Sequence, residues 1–193
     1  MSTDRNEVSY YPEIKQFIEE QLKSNFCAES ERPLNVYWGI GELKTNLNRI
    51  LAEHPNECAC VREFAYRVPP LSLDIFALIT NGAKFELLIL EIKLVRSAGL
   101  KEWSQLIGYC LVSGARYGFL VNIDNCASSR LAQILSTERH LSHINTIVND
   151  EQREHFLGFM QWDSLTHSFD YSNLGAVKSL SDLSNQLRAK FNK

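Results

Sequence analysis

The sequence predicts an α/β domain, and three observations carry that prediction. Two apolar runs of strand length, residues 71–79 and 85–93, flank Thr80-Asn81-Gly82-Ala83, and Asn-Gly is the strongest short signal for a hairpin turn. Next comes an amphipathic stretch from Leu100 to Ser113, with Leu100, Trp103, Ile107 and Leu111 on one stripe and Gly114 as its stop. Tyr117 to Ile123 is then apolar almost throughout, the pattern of a strand buried on both faces.

The remaining elements follow in chain order. Pro12 suits the first turn of a helix over residues 12–24, with Ile14, Phe17, Ile18 and Leu22 as its stripe. Residues 25–35 are polar and contain Pro33, which predicts a loop. A second helix fits 42–53, with Leu43, Leu47, Ile50 and Leu51 on one side and Pro55-Asn56 just past its end. Cys58 to Val68 reads as a strand closed by Pro69-Pro70. After the hairpin, the helix and the apolar strand, a helix is expected over 128–138. Short strands are expected at 144–148 and 155–162, and an irregular loop at 163–178. A last helix carries Leu180, Leu183, Leu187 and Phe191. The centre therefore reads helix, strand, strand, strand, helix, strand. Residues 1–41 are expected as an N-terminal helical extension and 42–193 as the main domain with its C-terminal strands and helix, together one compact domain.

Composition narrows the function classes. The chain has 193 residues, 45% of them hydrophobic, and a net charge of -3. No apolar run approaches bilayer-crossing length, and residues 1–7 form no apolar signal segment. The five cysteines (Cys27, Cys58, Cys60, Cys110, Cys126) have no framework spacing, which predicts a reduced, cytoplasmic protein with no membrane partner. Net acidity argues against a passive nucleic-acid coat but not against a nucleic-acid enzyme, which needs positive charge only along one groove. Cys58-x-Cys60 lacks the second pair a structural zinc site requires, and the five histidines form no HExxH pair.

Among the charges that interrupt the apolar hairpin are Asp74, Glu91 and Lys93. A charge in a half-buried strand is costly unless something pairs with it. If Asn81-Gly82 is a two-residue turn, Asp74 lies opposite Ile89 and on the face of Glu91 and Lys93, because residues two apart on a strand share a face. A four-residue turn puts Asp74 opposite Glu91 on the same face. Only an odd-length loop or a bulge separates them.

This arrangement resembles the PD-(D/E)XK nuclease superfamily, also called restriction-endonuclease-like. Its signature is an acid on the second core strand and an acid-x-Lys on the third, here Asp74 and Glu91-Ile92-Lys93. Gln105-Leu106-Ile107-Gly108-Tyr109 resembles the Gln-x-x-x-Tyr element of the RecB-type and lambda-exonuclease-like branch. The likeness spans roughly residues 42–123. The family's Pro-Asp is here Leu73-Asp74.

The resemblance implies an αβββαβ core with a central mixed sheet flanked by helices, and a Mg²⁺-dependent deoxyribonuclease for which Mn²⁺ can substitute. It implies Asp74, Glu91 and the Ile92 carbonyl as metal ligands, and Lys93 as the group that orients water or stabilises charge. Gln105 and Tyr109 would face metal, phosphate or base. Many relatives add an acid from the first core helix, for which Glu42, Glu13 and Glu20 are the candidates, with connectivity favouring Glu42. DNA is the expected partner, and a homodimer stays open. Two alternatives remain: a catalytically silent nuclease-like module that binds DNA or serves assembly, and an unrelated α/β interaction protein in which the three charges are a cross-strand ion pair.

Overall fold

The computed structural model describes residues 6–27, 34–148 and 150–192. It is a mixed α/β fold: a seven-stranded mixed sheet flanked by helices on both faces. A 3₁₀ turn (Glu7–Tyr10) leads into α1 (Tyr11–Cys27), followed by β1 (Asn35–Glu42) and α2 (Leu43–Glu53). A second 3₁₀ turn and α3 (Arg62–Arg67) precede the hairpin of β2 (Ser72–Thr80) and β3 (Phe85–Lys93). Then come α4 (Leu100–Ser113), β4 (Tyr117–Ile123), α5 (Ser129–Thr137), β5 (His143–Val148), β6 (Glu151–Asp163), β7 (Ser168–Gly175) and α6 (Leu180–Phe191).

The sheet order is β1-β2-β3-β4-β6-β5, with β7 also paired to β6. β1 with β2 and β2 with β3 pair antiparallel, while β3 with β4 and β4 with β6 run parallel. Parallel strands need a crossover, and α4 supplies the one between β3 and β4. One face of the sheet packs against α1 and α6 through Ile14, Ile18, Leu22, Phe26, Leu183 and Leu187. The other packs against α2 to α5 through Leu47, Ala65, Trp103, Leu106 and Leu131. With both faces covered, β4 carries no polar alternation and is buried along its whole length.

Several expectations require correction. Cys58–Val68 is not a strand: it forms a 3₁₀ turn and α3, with Cys58, Val61, Ala65 and Val68 buried at near-helical spacing. The first core strand is instead β1, so α1, not α2, is the helix that feeds the sheet. α1 and β1 therefore belong to the core and are no extension, since α1 covers one face and β1 forms a sheet edge. Of the loop expected over 25–35, residues 25–27 belong to α1 and Asn35 to β1; residues 28–33, including Pro33, lie outside the described residues. The loop expected at 163–178 contains β7. On α4 the buried side chains are Trp103, Leu106, Cys110 and Ser113, and Leu111 is 41% exposed, so its buried stripe is rotated from the expected one.

Two glycines fit β1 to β2. A Cβ on Gly39 would lie 2.2 Å from the Phe76 ring, and Gly41 has φ +81°, in the left-handed region that favours glycine. Between them the register slips. Gly39 pairs with Phe76 and Gly41 with Leu73, leaving Asp74 and Ile75 together opposite Ile40. This is a β-bulge in β2 at Asp74. Leu73 consequently shares a core with Phe76 and Leu78, which strict alternation forbids.

Candidate metal and catalytic site

The hairpin closes with a four-residue loop, 81–84, because Thr80 pairs with Phe85. Asn81 organises that loop by accepting from the Ala83 and Lys84 amides, and Gly82 takes φ +84°. The β2–β3 register runs back to Ile75 opposite Leu90, so the next position places Asp74 beside Glu91. Regular pairing stops there, at the bulge. The Ile92 amide loses its strand partner and donates instead to Asp74 Oδ2, at 3.0 Å. Bulges re-aim side chains in this way beside functional sites.

Lys93 Nζ lies 3.3 Å from Asp74 Oδ2 and 2.5 Å from Glu91 Oε1. The structure thus brings Asp74, Glu91, Ile92 and Lys93 together at one end of the sheet. Their environments differ. Asp74 and Lys93 keep side-chain exposures of 26% and 18%, whereas Glu91 is fully buried. Glu91 Oε1 is paired with the Lys93 ammonium at 2.5 Å, and Oε2 has no hydrogen-bond partner among the described residues. Burial pushes the Glu91 carboxyl up to about 7, opposed by the Lys93 ammonium and reinforced by the charge of Asp74. Burial pulls Lys93 down, but Glu91, Asp74 and Glu7 outweigh it and leave its pKa above the ordinary lysine value.

Glu7 is a site acid that sequence reasoning missed. It sits on the 3₁₀ turn ahead of α1 and accepts from the Tyr11 hydroxyl at 3.3 Å. Burial raises its pKa, Lys93 opposes the rise and Asp74 adds to it; the Leu94 amide also helps to hold it charged. The Tyr11 hydroxyl is raised by burial and by the charges of Asp74, Glu7 and Glu91. No local pattern announces Glu7, because only the packing of α1 against the sheet brings it there. We predict that Glu7→Gln lowers the pKa of the Lys93 ammonium, because one of the carboxylates that hold it charged is lost; a nuclear magnetic resonance titration of Lys93, with the thermal midpoint measured alongside, checks this.

The other acids lie elsewhere. Glu42 caps α2, accepting from the Lys44 amide at 3.1 Å and the Thr45 amide at 2.5 Å. These bonds lower its pKa. Glu42→Ala should therefore cost about 1 kcal/mol of stability, as cap losses do, which denaturant unfolding reads. Glu13 Oε2 is 3.0 Å from His167 Nδ1, and Glu20 is exposed and takes a bond from Gln16. Gln105 donates to the Tyr109 hydroxyl at 2.8 Å. Among the described residues that pair makes no hydrogen bond to Asp74, Glu91 or Lys93, and Tyr109 packs against the α2–α5 core.

The donor set suits a hard cation. Two carboxylates converge, one of them buried with unused lone pairs. An extended residue points its N–H and C=O to the same side, so the Ile92 carbonyl faces the edge where its N–H meets Asp74. Oxygen donors of this kind, completed by water, fit Mg²⁺ or Mn²⁺. Among the described residues no three His, Cys, Asp or Glu side chains gather closely enough to hold a metal by themselves. No helix among the described residues is long and apolar enough to cross a membrane. Compared with protein-family models, curated proteins and solved structures, the chain finds no match.

Proposed function

We propose that the chain is a metal-dependent DNA nuclease with a restriction-endonuclease-like core. The elements α1, β1, β2, β3, α4 and β4 follow one another with α2 and α3 inserted between β1 and β2, and their two antiparallel pairings followed by a parallel one support the core. The observation that carries the chemistry is the cluster itself: a fully buried Glu91 carboxylate, paired on one oxygen with Lys93, beside the partly exposed Asp74. Two carboxylates against one ammonium leave an excess of negative charge there, which a divalent cation offsets.

Asp74, Glu91 and the Ile92 carbonyl would hold Mg²⁺, which when bound supplies Lewis acidity toward the scissile phosphate and acidifies water. Lys93 keeps its ammonium charged at neutral pH and can donate to a phosphate oxygen as negative charge develops on it. In the hydrolysis a water oxygen bonds to phosphorus, the bridging P–O bond breaks, and the proton from water ends on solvent or the departing oxygen. Glu7 adds a further negative charge that favours the Lys93 ammonium, and the Tyr11 hydroxyl donates to Glu7. The test incubates the protein with supercoiled, linear and single-stranded DNA and Mg²⁺, Mn²⁺ or EDTA, with calorimetry of Mn²⁺ binding. Cleavage that needs the cation supports the reading. Mn²⁺ binding without cleavage of any DNA form overturns it in favour of a silent binding module.

A further inference from the structure

Among the described residues the sheet has three outer edges, those of β1, β5 and β7, and they are finished differently. Natural sheets block an edge with charge, proline, a bulge or a covering element, because its free N–H and C=O groups otherwise pair with another strand. Along β1, the Trp38, Ile40 and Glu42 carbonyls accept from Arg49 and Asn46 of α2, at 3.3, 2.9 and 2.8 Å. β7 is irregular: the β6–β7 register slips between Phe159 and Gln161, and Asn173 takes φ +56°. Asp170 also puts a charge on that strand. β5 has none of these devices.

β5 pairs with β6 without a slip, from His143 opposite Phe156 to Val148 opposite Glu151. The Leu157 amide donates to the Ser142 carbonyl at 2.8 Å, and the Phe156 amide donates the other way, to the Arg116 carbonyl before β4, at 2.7 Å. Alternate residues of a strand bond to opposite sides. Ile144, Thr146 and Val148 therefore bond to β6, and His143, Asn145 and Ile147 turn their N–H and C=O groups outward. Among the described residues no hydrogen bond reaches those outward groups. The strand carries no Asp, Glu, Lys, Arg or Pro, and its Ile147 is 79% exposed.

We propose that β5 pairs with β5 of a second copy of this chain, antiparallel about a two-fold axis at Asn145. The strand itself selects that occupant. Centring the axis there sets His143 opposite the partner's Ile147 and Asn145 opposite the partner's Asn145, and every such pair consists of outward residues that exchange two backbone hydrogen bonds. On the other face Ile144 meets the partner's Thr146, a match of β-branched side chains. A two-fold sets a residue at the axis against its own copy, so a charge there would be repelled. The Asn145 amide instead carries both a donor and an acceptor and complements itself. The copies run in opposite directions, so their two clusters of Asp74, Glu91 and Lys93 face opposite ends of the joined sheet and neither is covered. The inference does not rest on the nuclease reading.

Sedimentation equilibrium of the full chain, in a concentration series reaching about 1 mM, tests it. The expected result is a reversible dimer that dissociates on the order of 10 μM, as suits a small interface. Asn145→Lys and Asn145→Asp should each weaken it by at least about tenfold, because each sets like charges opposite one another. Asn145 is exposed, so the thermal midpoint of both variants should stay that of the wild type. An equimolar mixture of the two variants should dimerise again, as a heterodimer, which pairing with any other partner does not predict. A wild type that stays monomeric throughout, a dimer that neither variant weakens, or a mixture that stays monomeric would overturn the proposal.

Discussion

Asp74→Asn is expected to lower DNA cleavage by on the order of a thousandfold, the several kcal/mol that a Lewis acid contributes to a phosphoryl transition state. The substitution is chosen for what it preserves. An asparagine oxygen can still accept from the Ile92 amide, the bond Asp74 makes at 3.0 Å, and it has the same size. Lys93 keeps its ion pair with Glu91. The bulge and the strand ends should therefore persist, and the thermal midpoint should change little, since Asp74 is partly solvated. Loss of cleavage with an unchanged midpoint would place the effect on chemistry. A variant that cleaves like the wild type would remove Asp74 from the site.

Glu91→Gln should separate stability from activity in the opposite direction. The Glu91 carboxyl has its pKa raised from 4.5 to about 7. Between those values the native state binds more protons than the unfolded chain, so stability falls as pH rises from about 4.5 to 7 and stays lower above. The whole effect amounts to about 3 kcal/mol at most. Glutamine has no charge to bury, so the variant should lack this part of the pH dependence and melt several degrees higher than the wild type at pH 8. It should also lose cleavage and Mn²⁺ affinity. In the wild type, Mn²⁺ should restore stability above pH 7, because it holds the carboxylate ionised, and its binding should release protons. Coincident pH–stability curves for the two proteins would show that Glu91 is not the strained group.

The hairpin was legible because loop parity is robust. Asn81-Gly82 suggests a two-residue turn, and the loop has four residues, but both lengths are even and keep Asp74 on the side of Glu91 and Lys93. The bulge is the case that parity alone treats as separating them. Here it does not, because ending the ladder frees the Ile92 amide to hold the Asp74 carboxylate. β1 was hidden by Gly39 and Gly41, residues that weaken a strand pattern. Their reasons, the Phe76 ring and the slipped register, exist only in the assembled sheet. With β1 unseen, the apolar positions of 58–68 took its place as a strand, and Glu42 became the favoured fourth acid. The side chain of Glu42 is spent on a helix N-terminus, while Glu7 reaches the site through tertiary packing. β7 was missed because its exposed polar positions and its glycine terminus read as loop.

The most direct test is a Mn²⁺ titration of DNA cleavage by the wild type and Asp74→Asn, with the heat of Mn²⁺ binding followed over the same range. The account predicts no wild-type cleavage without divalent cation, a rate that saturates with the binding heat, and loss of both in Asp74→Asn. Cleavage in EDTA, or a rate and binding heat that survive in Asp74→Asn, would contradict it.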